Sequence, residues 1–310
     1  MGAALRSLGV GAAALSAVGV GALIYANRIE LNRFTLRHDE VPVPGLNRPL
    51  RLLHISDIHY VPGQTKKLRW LQSLADLDPD LVINTGDNLS DSAAVPEVLE
   101  ALHPLMRFPG AFVPGSNDYY TPRFRNPLRY FAGPSKPHSR AATLPSGELF
   151  SAFEAAGWAN LTNTHTTAEV AGVRIGFSGV DDPHLDLDEF AGWSSDDAGS
   201  GDQPQLRLGV AHSPMHRVLQ VFADTGAHLV LAGHTHGGQV CLPSFSPRGG
   251  RALVTNSDLP ADKAKGLHTV VGSDGSTTWV HVTAGLGTSA KAPIRFFCPP
   301  EANLLKLVPA

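Results

Sequence analysis

Cysteine is nearly missing from this 310-residue chain. Cys241 and Cys298 stand far apart and lack the paired spacing of a thiolate metal site. That excludes a cysteine-built structural centre and leaves either two buried thiols or one disulfide. A surplus of positive charge is missing too: the formal net charge is −3, which argues against whole-protein attraction to nucleic acid. Charged residues are few, 17% against 43% hydrophobic, so the chain can bury the core of one large or two ordinary domains. No internal repeat is present. Long runs free of both charge and histidine are absent except at the N-terminus. Histidine is what the chain has in excess, with 14 residues.

The exception runs from Leu8 to Ala26, nineteen residues without a charge and rich in Ala, Gly, Val and Leu. That length just spans a hydrocarbon core as a helix, which takes about 20 residues. A cleaved signal peptide with Arg6 as its basic start is the rival, but its apolar part is usually ~7–15 residues. We expect an uncleaved anchor over residues 1–26 with a single N-terminal span, making the protein membrane-associated. Arg28, Arg33 and Arg37 follow the span against Arg6 before it, a lean toward a cytoplasmic catalytic part that a long domain weakens. Residues 27–49 include Val41-Pro42-Val43-Pro44-Gly45 and read as a stiff linker.

From residue 50 a rhythm sets in. Leu50–Ser56 reads as a strand ended by Asp57-Ile58-His59, and Asp80–Thr85 as a strand ended by Gly86-Asp87. Ala111–Pro114 is a short strand ended by Gly115-Ser116-Asn117-Asp118. Helical spacing separates them, at Thr65–Leu77 and Ala94–Leu105, and again at Gly147–Ala156. Val170–Val180 is a strand ended by Asp181-Asp182-Pro183-His184, and Leu206–Ala211 one ended by His212. Leu229–Ala232 leads into Gly233-His234-Thr235-His236. Short strands near Val270, Trp279–Val282 and Leu304–Val308 point to a second sheet layer. Strands that alternate with helices and end in polar loops predict an α/β domain over 50–310.

Residues 119–147 break the rhythm as an insertion. They carry Arg123, Arg125, Arg129, Lys136 and Arg140, interleaved with aromatics, and no acid. Such a segment is either a solvated loop or a lid-like patch for anionic headgroups. Asp186–Pro204 is acidic and Gly/Ser-rich, the composition of a flexible insertion. Among the histidines, His54 inside its strand reads as a satisfied core residue, and His281 has no partner motif.

Five strand ends therefore offer candidate ligands: Asp57 with His59, Asp87, Ser116 or Asn117, His212, and His234 with His236. Carboxylate plus imidazole without thiolate suits Mn²⁺, Fe or Zn²⁺. Asp87, lying between the others in order, could bridge two ions.

Together the motifs resemble the calcineurin-like metallophosphoesterase superfamily, whose order DxH, GD, GNH, H, GHxH is specific. The following Gly237-Gly238-Gln239, with Gly285-Leu286-Gly287 and Pro293-Ile294-Arg295-Phe296, resembles its branch of membrane-associated bacterial phosphodiesterases. That branch includes UDP-diacylglucosamine pyrophosphatase-like enzymes, here in an actinobacterial type. The resemblance implies a two-layered β-sandwich flanked by helices. It implies two divalent cations, Mn²⁺ foremost, with Asp57, His59 and His236 on the first. Asp87 then bridges, and His212, His234 and the motif's asparagine hold the second.

One position departs. The motif's Gly-Asn-His has become Gly115-Ser116-Asn117, so either Ser116 replaces the ligand or the loop slips by one and Asn117 supplies it. An amide oxygen is the better neutral ligand, which favours Asn117. Either way the usual acid histidine is gone. His184 is the candidate substitute, unless the leaving group needs no proton. Arg295, with Arg123, Arg125 and Arg129, is the candidate contact to substrate phosphate. The expected activity is hydrolysis of a phosphodiester or diphosphate, in a membrane-associated lipid or nucleotide-lipid. Soluble nucleotides, cell-wall polymers and non-catalytic metal-dependent binding are the alternatives.

Overall fold

A computed structural model describes residues 16–123, 142–194, 203–244, 246 and 248–310. The strands in order are β1 (Thr35–Val43), β2 (Leu50–Ile55), β3 (Leu81–Asn84), β4 (Gly110–Phe112) and β5 (Ala159–Asn160). Next come β6 (Thr164–Val170), β7 (Val173–Gly179), β8 (Leu206–Val210) and β9 (Leu229–Ala232). The small β10 (Cys241–Leu242) and β11 (Arg251–Ala252) precede β12 (Gly266–Val271), β13 (Thr277–Val282) and β14 (Glu301–Pro309). They build two six-stranded sheets, ordered β1-β14-β2-β3-β4-β5 and β12-β13-β9-β8-β7-β6, and a two-stranded ribbon.

Side-chain alternation explains the layering. In β2, Leu50 and Leu52 face the other sheet, and with Leu81, Ile83, Leu208, Leu229, Leu231, Leu305 and Leu307 they fill the space between the sheets. Leu53 and Ile55 point the other way, onto helices Thr65–Ser73, Val95–Leu102 and Ser146–Ala155 through Leu71, Val98, Leu102, Leu149 and Phe153. The outer face of the second sheet is covered by helix His216–Asp224, where Phe222 packs with Val230, Val280 and Val282. Each fully buried aliphatic contributes about 1.5–3 kcal/mol, so the helix–sheet–sheet–helix order follows from apolar faces on both sides of both sheets.

β2, β3 and β4 are mutually parallel, as are β7, β8 and β9. Every loop expected to carry a ligand follows one of these strands.

Two expectations need correction. Residues 27–49 are not a linker: β1 pairs in parallel with β14 over nine residues, with Val41 and Val43 buried. The prolines that read as a linker are tolerated because β1 is a sheet edge, where an N–H can be spared. The last strand, β14, joins the first sheet between β1 and β2 rather than a second layer. Of the expected span, residues 8–15 lie outside the described residues; 16–24 are helical, and no described helix is long and apolar enough to cross a membrane. Cys241 and Cys298 are free buried thiols.

Candidate metal centre

The ligand loops share an uncommon backbone. Asp57, His59, Asp87, His234 and His236 all adopt left-handed φ, from 43° to 66°. Each such residue costs on the order of 1–3 kcal/mol and persists only where surroundings over-determine it. Here the first two loops brace each other: Asp57 N–H donates to the Gly86 carbonyl and His59 N–H to that of Asp87, both at 2.9 Å. Gly233 has no room for a side chain, since a Cβ there would overlap Ser56 Oγ and Asp57 Oδ2.

One half of the centre gathers around Asp57, which is fully buried. Its oxygens accept the His234 backbone N–H at 3.1 and 3.0 Å and the Ser56 hydroxyl at 2.7 Å. His236 Nε2 lies 3.6 Å from Asp57 Oδ1, and His59 Nε2 lies 4.0 Å from that oxygen and 3.2 Å from Asp87 Oδ2. His236 Nδ1 meets the Gly287 carbonyl at 3.1 Å. A carbonyl only accepts, so the proton sits on Nδ1 and the bare Nε2 turns inward.

The other half is built the same way. His212 Nδ1 donates to the Thr85 carbonyl at 2.7 Å, leaving Nε2 3.4 Å from Asp87 Oδ2. His234 is reversed: Nε2 lies 3.0 Å from the Asn256 carbonyl and 3.2 Å from its side-chain amide nitrogen, and Nδ1 faces His212 Nε2 at 3.2 Å. Two imidazole nitrogens thus confront each other across the site. A proton or a metal ion between them satisfies both. The donor set fits divalent ions. Asp57, His59 and His236 form one convergent group and Asp57, Asp87 and His212 another, the atoms of each within 4.8 Å of one another. Asp87 is the carboxylate in contact with both sides.

Electrostatics agree. Burial opposes charge on His212, but Asp87 outweighs it and holds the imidazole well above its ordinary range. Burial likewise opposes charge on Asp87, and His212 and His59 overcome it, holding the carboxyl well below its usual range. His234 is pushed well down by burial, then by His184 and His212; His236 falls to about 4, chiefly by burial. In the metal-free protein His212 therefore carries the proton that an ion must displace. Mn²⁺ binding is expected to release about one proton at pH 7, with affinity rising as pH rises toward the His212 pKa. Calorimetry in buffers of differing ionisation enthalpy measures this; no proton release would show that His212 is already neutral.

The loop after β4 sets Asn117 against Asp87. Asn117 N–H donates to Asp87 Oδ1 at 2.7 Å and its side-chain amide reaches Asp87 Oδ2 at 2.8 Å. Ser116 Oγ touches that amide at 3.3 Å. Asn117 is thus the residue presented beside Asp87, through its amide nitrogen.

Other residues are distributed differently. His184 is buried, its ring 4.7 Å from that of His234. Arg295 is not a phosphate contact: it is fully buried and its guanidinium is spent on the carbonyls of Gly287, Ala284, Gly285 and Cys298 at 2.6 to 3.2 Å, and of His236 at 3.4 Å. Arg123 is exposed at the start of the insertion, and Arg125 and Arg129 lie outside the described residues. Sequence reasoning passed over Asp118, whose buried carboxylate accepts the backbone N–H groups of Gly115, Asp87 and Asn88 at 2.8–2.9 Å. Burial, then Asp87, push it up to about 6. Its place at the end of Gly115-Ser116-Asn117-Asp118 was the signal.

Fold and donors together define an α/β phosphoesterase built to hold divalent metal. The calcineurin-like phosphoesterase model matches residues 50–238, more than half the chain. The chain belongs to that family, a family of metal-dependent hydrolases. It is similar to YpbG of Bacillus subtilis (strain 168), 27% identical over 264 residues, covering 84% of this chain and 81% of that one. It is also similar to the Bos taurus transmembrane protein with metallophosphoesterase domain, 27% identical over 222 residues. That match covers 65% of this chain and 44% of the bovine one, so this chain spans less than half of that relative. Among solved structures, a 5′-nucleotidase precursor from Thermus thermophilus aligns at a TM-score of 0.44 and 12% identity, over 84% of this chain and 54% of that one.

Proposed function

We propose that this protein is a two-cation hydrolase that cleaves a phosphodiester or diphosphate bond in an amphiphilic, membrane-associated substrate, with Mn²⁺ as the preferred ion. The observation that carries the two-cation reading is Asp87 Oδ2, 3.2 Å from His59 Nε2 and 3.4 Å from His212 Nε2. Two ions held there would neutralise phosphoryl oxygens and acidify a water at neutral pH. The chain's own part is to fix tautomers and orientation: Gly287 and Thr85 carbonyls aim bare imidazole nitrogens inward, Asn256 holds the far side of His234, and Asp118 pins the Asp87 and Asn117 loops together.

No histidine stands at position 117 to protonate a leaving group. A departing phosphate ester anion, as from a diphosphate, needs no such proton, which favours that bond over an alkyl phosphomonoester; His184 beside His234 is the remaining acid. The membrane part of the reading is supported by the helical residues 16–24, where Val18 and Leu23 are 70% and 61% exposed. The bovine and Danio rerio relatives are named as transmembrane proteins, which agrees with it. The basic stretch Arg123, Arg125 and Arg129 then meets anionic headgroups.

Full-length protein in detergent is expected to hydrolyse bis-p-nitrophenyl phosphate with Mn²⁺ and to stop with chelator. No Mn²⁺-dependent turnover would leave metal-dependent binding as the function. A lipid diphosphate in mixed micelles tests the substrate class separately: turnover of soluble dinucleotides alone would remove the membrane reading. Asn117→Ala should lower kcat by about 10²-fold, the usual cost of a misplaced ligand shell, and Ser116→Ala by less than about threefold. The reverse ranking would assign the ligand to the serine.

A further inference from the structure

Beneath the metal centre the core between the sheets turns polar. Leucines fill it further out, but His54, Thr85, Asn303, His281 and Thr283 occupy its end nearest the ligands, all fully buried. Burying a polar group without a partner costs about 1–3 kcal/mol, and a pair of leucines would fill the space more cheaply. The histidines are connected instead. His281 Nδ1 lies 3.0 Å from His54 Nδ1, and His54 Nε2 lies 3.0 Å from Thr85 Oγ1. The carbonyl of the same Thr85 holds His212 Nδ1 at 2.7 Å. At the outer end His281 Nε2 faces Asp39 Oδ2 at 3.7 Å, and neither atom has a hydrogen-bond partner. The second oxygen of Asp39 pairs with Arg248.

We propose that His54, His281 and Asp39 are positioning residues for the second cation site. They anchor Thr85, and Thr85 keeps His212 in its Nδ1–H form with Nε2 aimed at the ion. The proposal rests on the two-cation reading above.

The carboxylate of Asp39 sets the direction of the hydrogens. A carboxylate offers no hydrogen, so His281 turns an N–H at Nε2 toward it and accepts at Nδ1. His54 then donates from Nδ1 and accepts at Nε2, and the Thr85 hydroxyl donates. All three donors point away from the metal centre; both His54 nitrogens and His281 Nδ1 are paired, and His281 Nε2 faces the Asp39 carboxylate at 3.7 Å, beyond hydrogen-bond length. Burial, then His281, hold His54 well below its ordinary pKa, so it is neutral as this pattern needs. Thr85 is then fixed at three points: its N–H on Ile55 at 3.1 Å, its hydroxyl on His54 and its carbonyl on His212.

The test titrates metal-free full-length protein with Mn²⁺ by calorimetry. Thr85→Val keeps volume and removes only the hydroxyl; Thr85→Ser restores the hydroxyl. We expect two ions on the wild type. Thr85→Val should bind the second about 10–100-fold more weakly, the usual cost of loosening a ligand's outer partner, with the first within about threefold. Thr85→Ser should recover. Unchanged affinity in Thr85→Val, or equal loss of both ions, would overturn the proposal. ¹⁵N-histidine spectra of the metal-free protein give a readout independent of ions: His54 should carry its proton on Nδ1 and His281 on Nε2, and His54 protonated at Nε2 overturns the network. A wild type that binds fewer than two ions would instead sink the reading of the centre, leaving the spectra to judge the network.

Discussion

Asp87→Asn is expected to abolish hydrolysis, lowering kcat by at least about 10³-fold while the fold survives. Asparagine matches the shape of Asp87 and keeps an oxygen for the Asn117 N–H that now donates at 2.7 Å. What disappears is one negative charge shared between two cation positions. At contact range a unit charge pair is worth about 4 kcal/mol at an effective dielectric near 20, and every 1.4 kcal/mol is a decade. Losing even one such attraction in the transition state accounts for three decades. Metal content should fall below two ions per chain. His212 should also lose the proton that Asp87 holds on it, so its imidazole should be neutral at pH 7 by ¹⁵N spectroscopy. Circular dichroism should be unchanged. A variant within about tenfold of wild type would mean that Asp87 does not bridge.

How much of this was legible in the sequence depends on what the chemistry demands of side chains. Metal ligands must be carboxylates or imidazoles on loops after strands, and Asp57, His59, Asp87, His212, His234 and His236 stand there in an order that can be read. The groups that orient them cannot be read in the same way. The Thr85, Gly287 and Asn256 contacts are made by backbone carbonyls, which every residue has. His54 and His281 looked unrelated because 227 residues separate two rings 5.2 Å apart; no local pattern encodes a meeting of two sheets. β1 was hidden for another reason. Pro42 and Pro44 speak against a strand, and only its place at a sheet edge, unknown from sequence, permits one. The α/β layering was legible because apolar runs and helical periods are local properties.

Arg295 is where sequence logic and structure part most sharply, and the difference is measurable. A positively charged residue near the end of a phosphoesterase suggests a substrate contact, for which Arg295→Met would raise KM and leave stability alone. The structure points to the opposite outcome. The guanidinium is fully buried, and its N–H groups serve the carbonyls of Gly287, Ala284, Gly285 and Cys298. Methionine fills the volume but donates nothing, leaving several buried carbonyls without donors at about 1–3 kcal/mol each. We expect a loss of roughly 3–5 kcal/mol, the range for breaking a buried charged network, seen as a lower urea midpoint at unchanged m. Lysine should recover little, because one ammonium cannot replace a planar fork that spans several carbonyls. Because the Gly287 carbonyl that Arg295 holds at 2.6 Å also fixes His236 Nδ1 at 3.1 Å, Arg295→Met should also weaken the first ion about 10–100-fold. A raised KM with wild-type stability and metal affinity would return Arg295 to the substrate.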